Sequence, residues 1–231
     1  MPAGVLLAAA LVQASCSSNF NGDRIITLPD VSKQVAQQAQ PQTSREHQRI
    51  LAAYGGAYSD PKLEAMVVQT VDRLVAASER PEAKYRVTIL NSPAINAFAL
   101  PGGPIIVYDA LLESIRTPEE LAALLAHELS HIEQRHTLRN LAGTIGRRVL
   151  ITFFVGGQSD FLGMVAGQAD ALKGLQYSRQ LETEADDKGM DLLSRRQIDP
   201  EGMLKLIQLL QKETGGAEAY SFLSTHPVFK D

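Results

Sequence analysis

The stretch Thr117-Pro118-Glu119-Glu120-Leu121-Ala122-Ala123-Leu124-Leu125-Ala126-His127-Glu128-Leu129-Ser130-His131 decides how this chain is read. It predicts a helix with a well-marked entrance: Thr117 can cap it, Pro118 suits the first helical position, and Glu120 completes a capping box. Four residues make about one helical turn, so His127 and His131 can aim their imidazoles at one point. Neutral imidazole is a good ligand for zinc, and Glu128 can hold and deprotonate an attacking water. A solvated helix can carry two histidines by accident. Here Leu124, Leu125 and Leu129 surround the pair and make the helix a mainly buried one, where a ligand-free tetrad would strand polar groups.

The 231 residues suffice for one domain with a substantial core, with at most a small appendage. A formal charge of -4, with Lys and Arg spread along the chain, offers no basic tract to neutralise a series of phosphates, which argues against nucleic acid as a partner. Cys16 is the only cysteine, so neither an intramolecular disulfide nor a thiolate metal cluster can form. Metal chemistry must use His, Asp and Glu.

Val5 to Val12 is an apolar run too short to cross a bilayer, and polar residues follow Cys16. The segment 1–16 resembles a bacterial lipoprotein signal, in which the processed cysteine, here Cys16, carries the lipid. It departs from that pattern at Gln13, where an aliphatic residue is usual, and in having no Lys or Arg before the apolar run. The alternative is an ordinary thiol in a polar tail. Residues 17–44, rich in Gln around Pro41, read as a polar tether, and the compact domain is expected over 45–231.

Within that domain, Asp60-Pro61 opens a helix whose apolar stripe runs from Leu63 to Val75, ending before Pro81. Three extended pieces follow: Tyr85 to Leu90, Asn96 to Leu100, and Pro104 to Tyr108, with Pro101-Gly102-Gly103 as a turn. They predict a small antiparallel sheet. After the active-site helix, residues 138–169 read as a buried or interfacial helical hairpin, Ala169 to Arg195 as a long helix, and Pro200 as the start of another ending near Gly215. The fold class is α+β and mainly helical, with the sheet beside the active-site helix.

Two histidines leave a catalytic zinc one protein ligand short. The segment Tyr177-Ser178-Arg179-Gln180-Leu181-Glu182-Thr183-Glu184-Ala185-Asp186 offers three acids. Glu182 and Asp186 are one turn apart on a shared face, so one can bind metal while the other accepts a hydrogen bond from a ligand histidine. Glu184 and Asp187 read as solvated acids. His47 and His136 show no comparable placement and read as structural or surface residues.

Taken together, the HExxH tetrad, Tyr177-Ser178-Arg179, Glu182-Thr183-Glu184-Ala185-Asp186 and Gly189 resemble the zinc metallopeptidases typified by the CAAX prenyl protease and the heat-shock protease HtpX. The likeness covers roughly residues 45–229 and is nearest to the short exported bacterial branch, often lipoproteins. It implies a zincin-like domain with one zinc ion, Glu182 as third ligand, and Asp186 steadying the site from behind. It also implies that Asn96, Ala97, Phe98 and Ala99 border the substrate cleft, where an extended edge can pair with a polypeptide backbone; taken alone, Phe98 reads equally well as a core residue. His226, followed by Pro227, resembles the family's late His-Pro pair. Its expected role is mainly catalytic, donating to the oxyanion of the attacked carbonyl; the alternative is that it occupies the open zinc position in a resting form.

The expected activity is zinc-dependent hydrolysis of peptide bonds in unfolded or misassembled envelope proteins. The expected location is the periplasmic side of a bacterial envelope, anchored to the outer membrane through Cys16, among envelope assembly or quality-control proteins. Two rivals share these residues: a chaperone or assembly factor using the cleft with little turnover, and a scaffold with a structural ion.

Overall fold

A computed structural model of the chain describes residues 48, 51–52, 56–100, 104–145, 177–213 and 226. The signal segment, Cys16, the tether, His47, the Pro101-Gly102-Gly103 turn and most of the expected 138–169 hairpin lie outside these residues. Among the described residues no helix is long and apolar enough to cross a membrane.

Helix α1, Pro61–Val75, starts where Asp60 accepts from the amides of Lys62 and Leu63, and it buries Val67, Val71, Leu74 and Val75. Strands β1, Val87–Leu90, β2, Ala97–Ala99, and β3, Ile105–Tyr108, follow. A short helix α2, Asp109–Ser114, then leads to α3, Pro118–Glu133. Helix α4 is His136–Ile145, α5 is Arg179–Arg195 and α6 is Glu201–Glu213.

The sheet is mixed rather than antiparallel. Its order is β1-β3-β2: β3 pairs antiparallel with β2, Phe98 opposite Ile106, and parallel with β1, Val87 opposite Ile105. Sequence order suggests β2 next to β1, but β3 takes the centre between them, and β2 and β3 are both wholly buried. The 91–96 connection passes the end of β3, held by the Asp109 carboxylate accepting from Ser92 N at 2.8 Å and by Asn96 O accepting from Tyr108 N at 3.0 Å.

Alternation along the strands divides the core in two. Ile89, Ala97, Ala99, Ile105 and Val107 join the helices in the main core, whereas Leu90, Phe98, Leu100, Ile106 and Tyr108 form a smaller cluster on the other face. Helix α3 runs through the main core and touches α1, α4, α5, α6 and β2. Every residue from Glu120 to Ile132 is buried, as befits a helix apolar on all sides. At its entrance Thr117 Oγ1 accepts from Glu120 N at 3.2 Å, while the Glu120 carboxylate reaches one residue past the cap to accept from Arg116 N at 2.8 Å.

Helix α5 begins at Arg179 under a Ser178 cap and Tyr177 and Ser178 are not helical, so the long helix expected over 169–195 is interrupted there; its stretch before Tyr177 lies outside the described residues. Its close approach to α3 leaves little room at Gly189, where a Cβ would stand 3.3 Å from the His127 backbone nitrogen. Less remains at Gly202 on α6, where a Cβ would lie 2.5 Å from Glu119 O.

Candidate active site

Helices α3 and α5 place their polar groups at one point inside the core. Nε2 of His127 and Nε2 of His131 stand 2.9 Å apart. Glu182 enters from α5, its Oε2 3.5 Å from His127 Nε2 and its Oε1 3.5 Å from His131 Nε2. His226 completes the group: its Nδ1 lies 3.2 Å from His127 Nε2 and 3.2 Å from Glu182 Oε2. Each of the four offers one ligand atom, all lie within 4.8 Å of one another, and all four residues are buried. Glu128 stands beside them, its Oε1 3.6 Å from His226 Nε2.

This donor set fits a zinc ion. Two neutral imidazole lone pairs facing each other at 2.9 Å repel unless a cation or proton lies between them. Among the described residues, both carboxylate oxygens of Glu128 and Oε1 of Glu182 are buried without a hydrogen-bond partner. Each such group costs about 1–3 kcal/mol, and more when charged. A divalent cation beside Glu182, with a water beside Glu128, answers both requirements.

The histidine rings are held from behind. Nδ1 of His127 lies 2.9 Å from Oδ1 of Asp186, one turn along α5 from Glu182. Nδ1 of His131 lies 2.9 Å from Nδ1 of His136. Tyr177 stacks on the His131 ring, centroids 4.1 Å apart and planes 21° apart. The Tyr177 hydroxyl is 2.7 Å from Thr137 Oγ1, which also donates to Ala99 O at 3.3 Å. The cluster thus ties α3, α4, α5 and β2 together.

Its electrostatics are uneven. Burial raises the Glu128 carboxyl above the ordinary carboxylate range, opposed by His226 and His127. Glu182 moves the other way, to about 2: burial raises it, but His226 and His127 together outweigh that. Burial lowers His127, yet its hydrogen bonds to the Asp186 and Glu182 carboxylates more than reverse it and the net shift is well upward. His131 is pushed well down by burial and then by His127, His226 and His136. The two histidines thus shift in opposite directions.

Of the acids on α5, Glu182 faces the histidine nitrogens and Asp186 the far side of His127, which separates the two roles that sequence spacing left open. Asn96, Ala97, Phe98 and Ala99 are all buried. Phe98 packs edge-on against Tyr108, centroids 6.2 Å apart, in the smaller core cluster. β2 is an edge strand of the three-stranded sheet and contacts α3, with Ala97 and Ala99 in the main core.

His136, read as a structural or surface residue, and Glu184, read as a solvated acid, both adjoin this cluster. His136 is fully buried against His131, and Glu184 accepts from Arg139 Nη1 at 2.8 Å with its Oε2 3.4 Å from His136 Nε2. The signal for His136 is hidden. Five positions along a continuous helix amount to a rotation of about 140° away from His131. The chain instead breaks at Arg135, whose φ of 56° lies in the left-handed region, and the new helix α4 turns His136 back.

Comparison with known proteins agrees with this geometry. The chain is 31% identical over 207 residues to the mitochondrial metalloendopeptidase OMA1 of Schizosaccharomyces pombe, covering 87% of this chain and 58% of that protein. It is 30% identical over 182 residues to the beta-barrel assembly-enhancing protease of Yersinia pestis, covering 73% of this chain and 37% of that protein. The protein of the same name from Escherichia coli K12 is 28% identical over 183 residues, 74% of this chain and 37% of its own length. This chain thus spans between about a third and three-fifths of these relatives. The sequence profile of peptidase family M48 matches residues 61–231, nearly three-quarters of the chain, and this protein belongs to that family of zinc-dependent metallopeptidases.

Proposed function

We propose that this protein is a zinc-dependent endopeptidase that cuts unfolded or misassembled polypeptides in a bacterial envelope. The observation that carries the reading is the convergence of His127, His131 and Glu182 beside Glu128, whose two oxygens are buried without a hydrogen-bond partner among the described residues. When bound by those three residues, zinc polarises the scissile carbonyl and acidifies a water. Glu128 takes the proton of the attacking water and delivers it to the departing amine. Its raised pKa suits a group that must hold a proton between the two steps. Asp186 keeps the His127 ring in register, and the edge of β2 receives substrate backbone, a mode indifferent to side-chain sequence.

His226 has two possible roles, and its position favours the resting one. Its Nδ1 lies among the ligand atoms rather than apart from them, so it fills the fourth position until substrate displaces it. The same observation supports a second reading, an assembly factor or chaperone that engages polypeptides with little turnover. Digestion of an unstructured polypeptide with and without chelator separates the readings: chelator-sensitive cleavage supports the peptidase, and suppression of aggregation without cleavage supports the chaperone.

The envelope setting rests on the sequence and on the names of relatives. Residues 1–16 resemble a lipoprotein signal, 17–44 a tether, and 45–231 hold the peptidase domain. Within the family we place the chain in the short exported branch that resembles the CAAX prenyl protease and HtpX. The named role of the bacterial relatives supports partners among envelope assembly or quality-control proteins. Lipidation of Cys16 anchors the enzyme to the outer membrane in this scheme, and Ser17 at the next position lacks the aspartate that signals inner-membrane retention. Mass analysis of the mature N-terminal fragment tests it, since an unmodified Cys16 still preceded by Ala14-Ser15 refutes the anchor.

A further inference from the structure

We infer that His136 is a positioning residue for the metal site, the middle member of a buried relay that runs from Glu184 through His136 to His131 and fixes which nitrogen of His131 can bind zinc. The inference rests on the reading of His131 as a zinc ligand and extends it to residues on two further elements.

The geometry dictates the direction of each hydrogen. His131 points Nε2 toward His127 and Glu182, so that atom must keep its lone pair to serve as a ligand. The ring hydrogen then sits on Nδ1, which lies 2.9 Å from Nδ1 of His136. His136 must accept there, and its own hydrogen therefore sits on Nε2. That nitrogen faces Glu184 Oε2 at 3.4 Å, an ion-pair distance rather than a closed hydrogen bond. Arg139, one turn along α4 from His136, holds Glu184 from the other side at 2.8 Å. Reversing any one hydrogen would set two N–H groups or two lone pairs against each other inside the core.

The relay matches what Asp186 does for His127. An acceptor behind a ligand histidine fixes its tautomer and ring angle and makes it a better donor to the metal. His127 has a carboxylate for this, and His131 has a neutral imidazole whose far side reaches a carboxylate. The chain goes to some length to build it: the left-handed backbone at Arg135 is uncommon for a residue with a side chain, and it brings His136 to the start of α4 against His131.

The test compares His136→Asn, His136→Leu and Glu184→Ala in the full chain, with zinc affinity measured by competition against a chromophoric chelator. Asn can place an amide oxygen where Nδ1 now accepts, whereas Leu fills similar space without an acceptor. His136→Leu should weaken zinc binding by about 10- to 100-fold, the range for loss of such a partner, and His136→Asn should recover most of it. Glu184 is partly exposed and its removal tolerable to the fold, so Glu184→Ala should give a smaller loss of about threefold to tenfold. Thermal unfolding of the chelated proteins reports on folding. If His136→Leu fails to fold, Glu184→Ala and His136→Asn decide alone: weakened binding in the first with near-normal binding in the second supports the relay. Wild-type affinity in Glu184→Ala and His136→Leu overturns it, as does equal loss in His136→Asn and His136→Leu. His131→Ala is the control for the underlying reading: if it leaves zinc affinity unchanged, His131 is no ligand and that reading fails first.

Discussion

Nδ1 of His127 lies 2.9 Å from Oδ1 of Asp186, a contact between α3 and α5 that joins residues 59 positions apart. The carboxylate can accept only from a ring that carries its hydrogen on Nδ1, which leaves Nε2 open toward the ligand group. Asp186→Ala should therefore lower zinc affinity by about 10- to 100-fold while leaving the fold intact, because the side chain is partly exposed and its loss opens little space. Competition with a chromophoric chelator measures the effect. Unchanged affinity would remove Asp186 from the site.

The raised pKa of His127 makes zinc binding dependent on pH. Below its raised pKa, His127 holds a proton in the chelated protein, and zinc must displace it to use the nitrogen. Raising the pH removes the competing proton, so affinity should rise about tenfold per pH unit until the His127 pKa is passed, and then level off. Glu182, held near 2, is already ionised and adds no proton of its own. Calorimetry in buffers of different ionisation enthalpy should count proton release on zinc binding below the His127 pKa, falling away as the pH rises through it. A count of zero below that pKa would contradict the assignment.

Much of the site is legible in the sequence because it depends on local helical geometry. Four-residue spacing puts His127 above His131 and Glu182 beside Asp186, and the leucines around the tetrad imply its burial. Thr117 and Pro118 likewise mark the helix start to the residue. What the sequence hides is set between elements. Nothing in the local pattern places β3 at the centre of the sheet with β1 parallel to it, since β2 and β3 are both wholly buried and their patterns do not tell them apart. His136 and Glu184 are missed for the same reason: a left-handed residue reverses the first, and α4 packing on α5 recruits the second. Phe98, for which the sequence alone left core and cleft readings level, packs in the smaller core cluster.

Gly202 sets how closely α6 can approach α3. A Cβ at that position would meet Glu119 backbone atoms at 2.5 and 2.6 Å, which a rotamer change cannot relieve. Gly202→Ala should destabilise the protein by about 1–3 kcal/mol through overpacking, despite the better helix propensity of alanine. Denaturant unfolding provides the measurement, and neutral or raised stability would mean that α6 sits farther from α3 than described.

His226 lies within the ligand group, and its removal should expose the fourth position. His226→Ala should raise the basal rate on a short peptide by about tenfold, equivalent to about 1.4 kcal/mol of lost inhibition. Zinc affinity should fall modestly while one ion per chain is retained. A rate reduced 10- to 1,000-fold at full zinc content would assign His226 to oxyanion stabilisation instead.

The central claim is that Glu128 performs the chemistry at a zinc site made by His127, His131 and Glu182. Its most direct test is Glu128→Gln, which keeps the shape of the side chain and removes the base. Zinc content and turnover of an unstructured polypeptide should be measured on the same zinc-loaded samples of variant and wild type. The account predicts near one zinc per chain in both, with cleavage by the variant reduced at least about a thousandfold. Cleavage at a rate near wild type by zinc-loaded Glu128→Gln would contradict it.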